Sequence, residues 1–89
     1  MRYTWDEVKR QKTLMERGLD FSRVSEVFGG PVFTVEDDRW DYGEDRWVTI
    51  GLLGFKVVVV VHTESDDEIH VISLREATRN EQRFFFSNQ

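Results

Sequence analysis

Five consecutive valines, Val57 to Val61, constrain the fold of this chain more than any other feature of its sequence. Side chains that branch at Cβ favour extended backbone, and this run contains no polar position that would face water. Strands that are buried on both faces have this pattern. We therefore expect Lys56 to Thr63 to form a strand in the middle of a sheet. The apolar run is too short to span a bilayer, so we expect no membrane association.

Other stretches with strand character surround the valines. Arg46 to Leu52 comes before them, with a turn at Gly54, and Glu68 to Ser73 follows after the polar turn Glu64 to Asp67. Because the turns between these three stretches are short, they predict an antiparallel meander. Val32 to Val35 adds a short fourth strand.

Two helices are predicted before the sheet. Thr4 and Glu7 have the spacing of a capping box, for a helix that ends at Gly18. The apolar stripe of this helix is thin, and consists of Val8, Leu14 and Met15. Asp20 is a suitable N-cap for the second helix. The second helix carries a clear apolar stripe: Phe21, Val24, Val27 and Phe28.

The C-terminal part of the chain predicts a third helix. Ser73 and Glu76 form a second capping-box pattern, for a helix from Leu74 to about Phe86. The sequence therefore predicts one α+β domain over residues 1–89. Two N-terminal helices, an antiparallel sheet of about four strands and a C-terminal helix would make up this domain.

The composition excludes several classes of site. The chain has no cysteine, which removes disulfides, thiolate metal sites and cysteine nucleophiles, and which fits a cytoplasmic protein. We expect no metal and no cofactor. The net charge is −5, but nine of the 17 acids lie in two clusters, at 36–45 and 66–68. Without these nine acids, 12 basic residues face eight acidic ones, so a basic face remains compatible with the acidic total.

Four motifs, in order along the chain, resemble the BrnT family of toxins. They are Trp5-Asp6-x-x-Lys9 with Gly18-x-x-Phe21; Arg46-Trp47-Val48-Thr49-Ile50-Gly51; Val60-Val61-His62-Thr63-Glu64; and Ile72-Ser73-x-Arg75-x-Ala77-Thr78-x-x-Glu81. The resemblance implies a RelE-like fold, metal-independent cleavage of RNA, and a BrnA-like antitoxin as partner. A toxin dimer or a toxin–antitoxin heterotetramer is compatible with that pairing. The chain departs from the family where arginine is frequent, since Ser65, Glu68 and His70 stand at those positions.

Arginines in the last motif are the first candidates for catalysis. Metal-free RNA cleavage needs a base for the ribose 2′-OH, cations for the pentacovalent phosphate, and an acid for the leaving oxygen. Arg75 and Arg79 would lie one turn apart on the expected helix and could clamp the phosphate, or they could be part of a solvated helix face. Arg83, one turn further on, is a candidate for binding the substrate.

Histidine titrates in the range that acid–base catalysis requires, and the chain has two, His62 and His70. We take His62 as the stronger catalytic candidate, with Glu64 as a base beside it. Pairing of Thr63 with Glu68 would turn the two histidines apart, whereas pairing of Glu64 with Glu68 would bring them together. The sequence leaves this register open.

The remaining candidates concern binding. Lys9, Lys12 and Arg46 could contact the RNA backbone, although Arg46 could instead pair with an acid of the neighbouring loop. That loop, Glu36 to Asp45, combines carboxylates with aromatic residues. Such a combination favours recognition of a basic protein, so Trp40, Tyr42 and Trp47 are predicted to bind the partner.

Two functions therefore follow from the sequence. The first is an endoribonuclease toxin, cytoplasmic and held inactive by an antitoxin. The alternative is a non-catalytic, protein-binding member of the same fold that has lost ribonuclease activity, and the acidic charge and the missing arginines favour it.

Overall fold

The computed structural model describes residues 1–89 as a five-stranded sheet with three helices. The strands are β1 (Arg2–Trp5), β2 (Val32–Asp37), β3 (Arg46–Leu53), β4 (Lys56–Glu64) and β5 (Glu68–Glu76); the helices are α1 (Glu7–Arg17), α2 (Val24–Phe28), preceded by a 3₁₀ turn at Phe21–Arg23, and α3 (Arg79–Ser87). The α+β class is as expected. No helix is both long enough and apolar enough to cross a membrane.

The strand order in the sheet is β1-β5-β4-β3-β2, and the valine-rich strand β4 lies at the centre. Strands β2 to β5 pair antiparallel, as predicted, whereas β1 pairs parallel to β5 and makes the sheet mixed. Val57 to Val60 are all buried, which confirms the prediction that this strand is covered on both faces.

Different helices cover the two faces of the sheet. On the first face, the residues of the predicted apolar stripe from the 3₁₀ turn and α2 pack against Val58, Val60 and Leu74. On the second face, Phe85 of α3 packs against Val59 and its neighbours. We call these the α2 face and the α3 face. Because α3 has only nine residues, it covers only part of its face.

Gly51 marks the place where α2 approaches the sheet most closely. A Cβ atom at this position would lie 2.8 Å from Cγ1 of Val27 and 3.1 Å from Cγ1 of Val32. Contacts this short require the neighbouring side chains to move, so the position needs a residue without a side chain.

The predicted start of the first helix is wrong. Thr4 lies in β1, and Asp6 is the N-cap, its carboxylate accepting hydrogen bonds from the N–H groups of Val8 and Lys9 at 2.9 and 3.2 Å. Residues 2–5 instead pair with β5, because a long-range strand partner outweighs the local capping pattern. Gly18 ends the helix in the left-handed conformation, with φ of 69°, as predicted.

The apolar stripe predicted for the first helix is also wrong. Val8 and Met15 are 77% and 87% exposed. The inward side of α1 instead carries arginines: Arg10 pairs with Asp20, and Arg17 donates a hydrogen bond to the backbone oxygen of Leu74. Leu74 lies on the part of β5 that does not pair with β1, and the hydrogen bond from Arg17 binds its carbonyl oxygen there.

The start of the C-terminal helix differs from the prediction as well. β5 continues to Glu76, since Leu74 is fully buried and pairs with Val60 in the sheet. Thr78 and Glu81 form the capping box of this helix. The capping box predicted at Ser73 and Glu76 is wrong, because both residues lie in β5. A buried sheet position therefore outweighs a local helix signal at this point.

Candidate active site

The sheet register decides which candidate side chains share a surface. Side chains alternate between the two faces along each strand, and paired residues lie on the same face. His62 pairs with Val71, which belongs to the core on the α2 face, whereas His70 pairs with Thr63 and lies on the α3 face. Neither register considered from the sequence is the observed one, and an irregularity between Val61 and His62 shifts the pairing. The two histidines therefore lie on opposite sides of the sheet.

His62 is fully buried on the α2 face. Its Nε2 lies 2.7 Å from the hydroxyl of Thr49, and its ring packs edge-on to Phe28, with 5.1 Å between the ring centroids. Burial lowers the pKa of His62 to about 4, so the ring is neutral near pH 7. Nδ1 lies 3.5 Å from Glu64 and has no hydrogen bond. A ring in this position packs the core and has no access to a substrate.

The part of the α3 face that α3 leaves uncovered carries mainly polar side chains around the half-buried Val61, and we call it the open face. Its polar members are all half-buried: Thr4, Thr63, His70, Ser73 and Arg75. Nδ1 of His70 lies 2.8 Å from the hydroxyl of Thr4, across the parallel pair of strands. The second ring nitrogen of His70 makes no hydrogen bond to the protein. The open face therefore presents an oriented imidazole with one free nitrogen.

Arg75 is held at the other end of the open face by Glu81 of α3. Its two terminal nitrogens donate to the two carboxylate oxygens at 2.7 and 2.9 Å. The hydrogen bond to Glu81 raises the pKa of Arg75, and in return Arg75 lowers the pKa of Glu81 to about 2. Because Glu81 also accepts from the backbone N–H of Thr78, the carboxylate joins the helix cap to the guanidinium. The ion pair fixes the orientation of Arg75, and the N–H groups that do not donate to Glu81 lie outside this pair.

Arg75 and Arg79 do not form the one-turn pair that the sequence suggested. Arg75 lies in a strand, and Arg79 is the first residue of α3. Phe85 and Glu81 mark the inward side of the helix, whereas Arg79 and Arg83 line a groove on its outer side with Phe86. The one-turn spacing on which the predicted phosphate clamp depended is therefore not the observed one, because Arg75 faces the inner side of the helix and Arg79 its outer side.

The acidic loop forms a compact charge cluster next to the open face. Asp37 is buried, and its carboxylate accepts from Arg39 at 2.8 and 3.0 Å and from the hydroxyl of Tyr42 at 3.3 Å. The hydrogen bond from Arg39 lowers the pKa of Asp37 to about 2. The positive charge of Arg39 also slightly opposes the raised pKa of Arg75, so the loop and the open face are within electrostatic range.

The three aromatic candidates for partner binding have different environments. Trp40 is 70% exposed at the tip of the loop. Tyr42 is half-buried, and the guanidinium of Arg46 lies 3.9 Å from its ring centroid. Nε of Arg46 also lies 3.6 Å from a carboxylate oxygen of Glu44. An ion pair with an acid of this loop was one of the two roles predicted for Arg46. Trp47 pairs with His62 and lies on the α2 face, away from the other two.

Lys9 and Lys12 line a depression between α1 and the unpaired edge of β5. Ile72 and Ser73 form its strand side, and its wall also contains a third cation, Arg17, and one carboxylate, Glu16. Because Ser73 belongs to the open face, the lysines lie along its border. No group of three or more His, Asp or Glu side chains is arranged to hold a metal ion.

The parts of this site that depend on β1 could not be found from the helix pattern predicted for the N-terminus. Thr4 was interpreted as a helix cap, although it orients His70. The signal that would have identified it is the β-prone stretch Arg2 to Trp5 followed by Asp6, which is as good an N-cap as threonine.

Comparison with protein families gives one match. A model described as the ribonuclease toxin, BrnT, of type II toxin–antitoxin systems matches residues 5–81, from the end of β1 to the first turn of α3. A comparison with curated proteins gives no match.

Proposed function

The chain belongs to the BrnT family of ribonuclease toxins of type II toxin–antitoxin systems, and we propose that it is an endoribonuclease that cleaves RNA without a metal ion. The observation that carries this proposal is the open face. It combines an oriented guanidinium, Arg75, with an oriented imidazole, His70, on a surface that no helix covers.

These two groups match the needs of metal-free cleavage. The ribose 2′-OH attacks the adjacent phosphorus, the bond to the 5′-oxygen breaks, and a 2′,3′-cyclic phosphate and a 5′-hydroxyl form. Arg75 stabilises the charge of the pentacovalent phosphate, and the free nitrogen of His70 takes the proton of the 2′-OH and passes it to the leaving 5′-oxygen. The two residues pair with Val59 and Thr63, which are four residues apart on β4, so they lie about 13 Å apart along the sheet. This spacing leaves room above Ser73 for the scissile phosphate and its ribose.

Other cations extend the proposed substrate surface. Lys9 and Lys12 border the open face, and we propose that they contact the RNA backbone. Arg46 lies in the loop cluster at the opposite border. His62 and Glu64, which the sequence made candidates for proton transfer, are not part of the proposal. The reason is that His62 has no exposed surface and faces the opposite side of the sheet.

We further propose that a BrnA-like antitoxin binds the acidic loop. Trp40 is exposed and is surrounded by carboxylates that have no partner within the protein, among them Asp38 and Asp45. An exposed tryptophan within a negative surface fits a basic partner segment, in which the aromatic side chain provides most of the affinity and the charges provide selectivity.

The second candidate function is a non-catalytic, partner-binding protein. The observation in its favour is that Arg39, Arg46 and Arg75 are each already paired with a carboxylate of this chain. An arginine whose charge is compensated stabilises a phosphate less than a free one.

Expression separates the two candidates. The chain is expressed alone and together with the product of the adjacent gene, and growth and the integrity of total RNA are followed in the same cultures. The ribonuclease proposal predicts growth arrest with RNA fragmentation, relieved by co-expression and absent in Arg75→Gln. Normal growth and intact RNA, with the two proteins still co-purifying, would favour the non-catalytic function.

A further inference from the structure

Two arginines of this chain have no partner. Seven of its nine arginines form an ion pair with a carboxylate or, in one case, donate to a backbone carbonyl. Arg79 and Arg83 do neither, and both are exposed. In a chain with a net charge of −5, two adjacent uncompensated guanidinium groups are an unusual surface.

These arginines share a groove with an exposed aromatic ring. The groove runs along the outer side of α3 and is lined by Arg79, Gln82, Arg83, Phe86 and Ser87. Phe86 is 60% exposed, and no carboxylate lines the groove. One edge of the Phe86 ring packs against the buried Phe85, with 5.3 Å between the ring centroids, and the rest of the ring is exposed beside the two cations.

We propose that this groove anchors single-stranded RNA, with Arg79 and Arg83 contacting phosphates and Phe86 stacking on a base. Guanidinium groups bind phosphate through paired N–H donors, and base stacking on an aromatic ring is tolerant of sequence. The inference rests on the proposed ribonuclease function and adds a binding site outside the open face. Arg79 is the first residue of α3 and comes only four residues after Arg75. An RNA strand that leaves the open face would therefore reach the groove directly.

The test measures RNA binding separately from cleavage. The probe is a fluorescent single-stranded oligonucleotide with 2′-O-methyl riboses, which cannot be cleaved through the 2′-OH. Its anisotropy is titrated with the purified, antitoxin-free chain at several salt concentrations. The variants are Arg79→Gln, Arg83→Gln and Phe86→Leu. The controls are Arg23→Gln, which removes the same charge from a paired arginine in the 3₁₀ turn before α2, and Phe55→Leu, which changes a fully exposed phenyl ring on the β3–β4 turn.

The two kinds of contact have different signatures. Each arginine variant should weaken binding about three- to tenfold and reduce the slope of log affinity against log salt by about 0.7, because one phosphate contact is lost. Phe86→Leu should weaken binding about fivefold or more without a change in slope, because stacking releases no counterions. The two controls should bind like the parent.

Four results would overturn the inference. Variants that bind like their controls, in a parent that binds the probe, would remove the anchor and leave the ribonuclease proposal intact. The same would hold if the parent cleaves unmodified RNA but does not bind the probe. If the variants bind the probe normally but lose the antitoxin, the groove is a protein-binding site. Failure of the parent both to bind and to cleave would refute the ribonuclease proposal along with the anchor.

Discussion

The buried histidine makes the stability of this protein sensitive to mildly acidic pH. His62 has no exposed surface, its Nδ1 lacks a hydrogen bond, and its pKa is lowered to about 4. In the unfolded chain the ring takes up a proton near its ordinary value, about 6.5. Between pH 6.5 and pH 4 the unfolded state therefore binds more protons than the folded state, and the stability falls as the pH falls.

The size of this effect follows from the two pKa values. Lowering the pH from 7 to 5 should reduce the free energy of unfolding by about 2 kcal/mol. Carboxylates contribute little over this interval, since those with a lowered folded pKa, such as Glu81, titrate mainly below pH 5. For a domain of this size, a loss of about 2 kcal/mol is a large share of the total stability.

The assay is urea unfolding of the parent at pH 5, 6 and 7, followed by tryptophan fluorescence. His62→Gln should remove most of the pH dependence, because an amide of similar size can bond to Thr49 and does not ionise. His70→Gln is the matched control, which removes the other imidazole and should retain the parent's dependence. An equal loss of stability at pH 5 in parent and His62→Gln would show that the ring is not the group responsible, and the reasoning from burial would be refuted.

Three further predictions concern packing, the site and the partner. Gly51→Ala should lower the free energy of unfolding by about 1–3 kcal/mol, because the new methyl group collides with Val27, whereas Gly30→Ala, where the nearest atom would be 3.9 Å away, should lower it much less; chemical denaturation of both variants checks this. Glu81→Gln should cost about 1–2 kcal/mol of stability, since the capping box and the pair with an arginine are both weakened, and an unchanged melting temperature would contradict the assigned contacts. Trp40→Ala should weaken antitoxin binding by about 2 kcal/mol or more in a calorimetric titration while leaving RNA cleavage unchanged, and antitoxin affinity equal to that of the parent would remove the loop from the interface.

The sequence predicted the parts of the fold that depend on strong local patterns. The valine run gave the central strand, and its short turns gave the antiparallel partners. The stripe from Phe21 to Phe28 gave the helical layer on one face of the sheet. In each case the apolar pattern and the local turn signals point to the same structure, so no long-range contact was needed to decide it.

The errors arose where a long-range contact competes with a local signal. Thr4 and Ser73 each have an acceptable capping pattern, yet both lie in strands that pair with distant segments. The shift of register at His62 follows from a strand irregularity that no local pattern reveals. Because side chains alternate along a strand, this register, which the sequence left open, decides which candidates share a surface: Arg75 and His70 do, whereas His62 does not.

The central claim is that the open face cleaves RNA through the ribose 2′-OH with Arg75 as its cation. The most direct test incubates the purified, antitoxin-free chain with a defined single-stranded RNA in EDTA and identifies the product ends by mass spectrometry. We predict fragments with a 2′,3′-cyclic phosphate and a 5′-hydroxyl, formed about a hundredfold or more slowly by Arg75→Gln. Arg23→Gln, which breaks an exposed ion pair on the opposite, α2 face of the sheet, should cleave like the parent. No cleavage by the parent, cleavage only after a divalent cation is added, or full activity in a folded Arg75→Gln would contradict the claim.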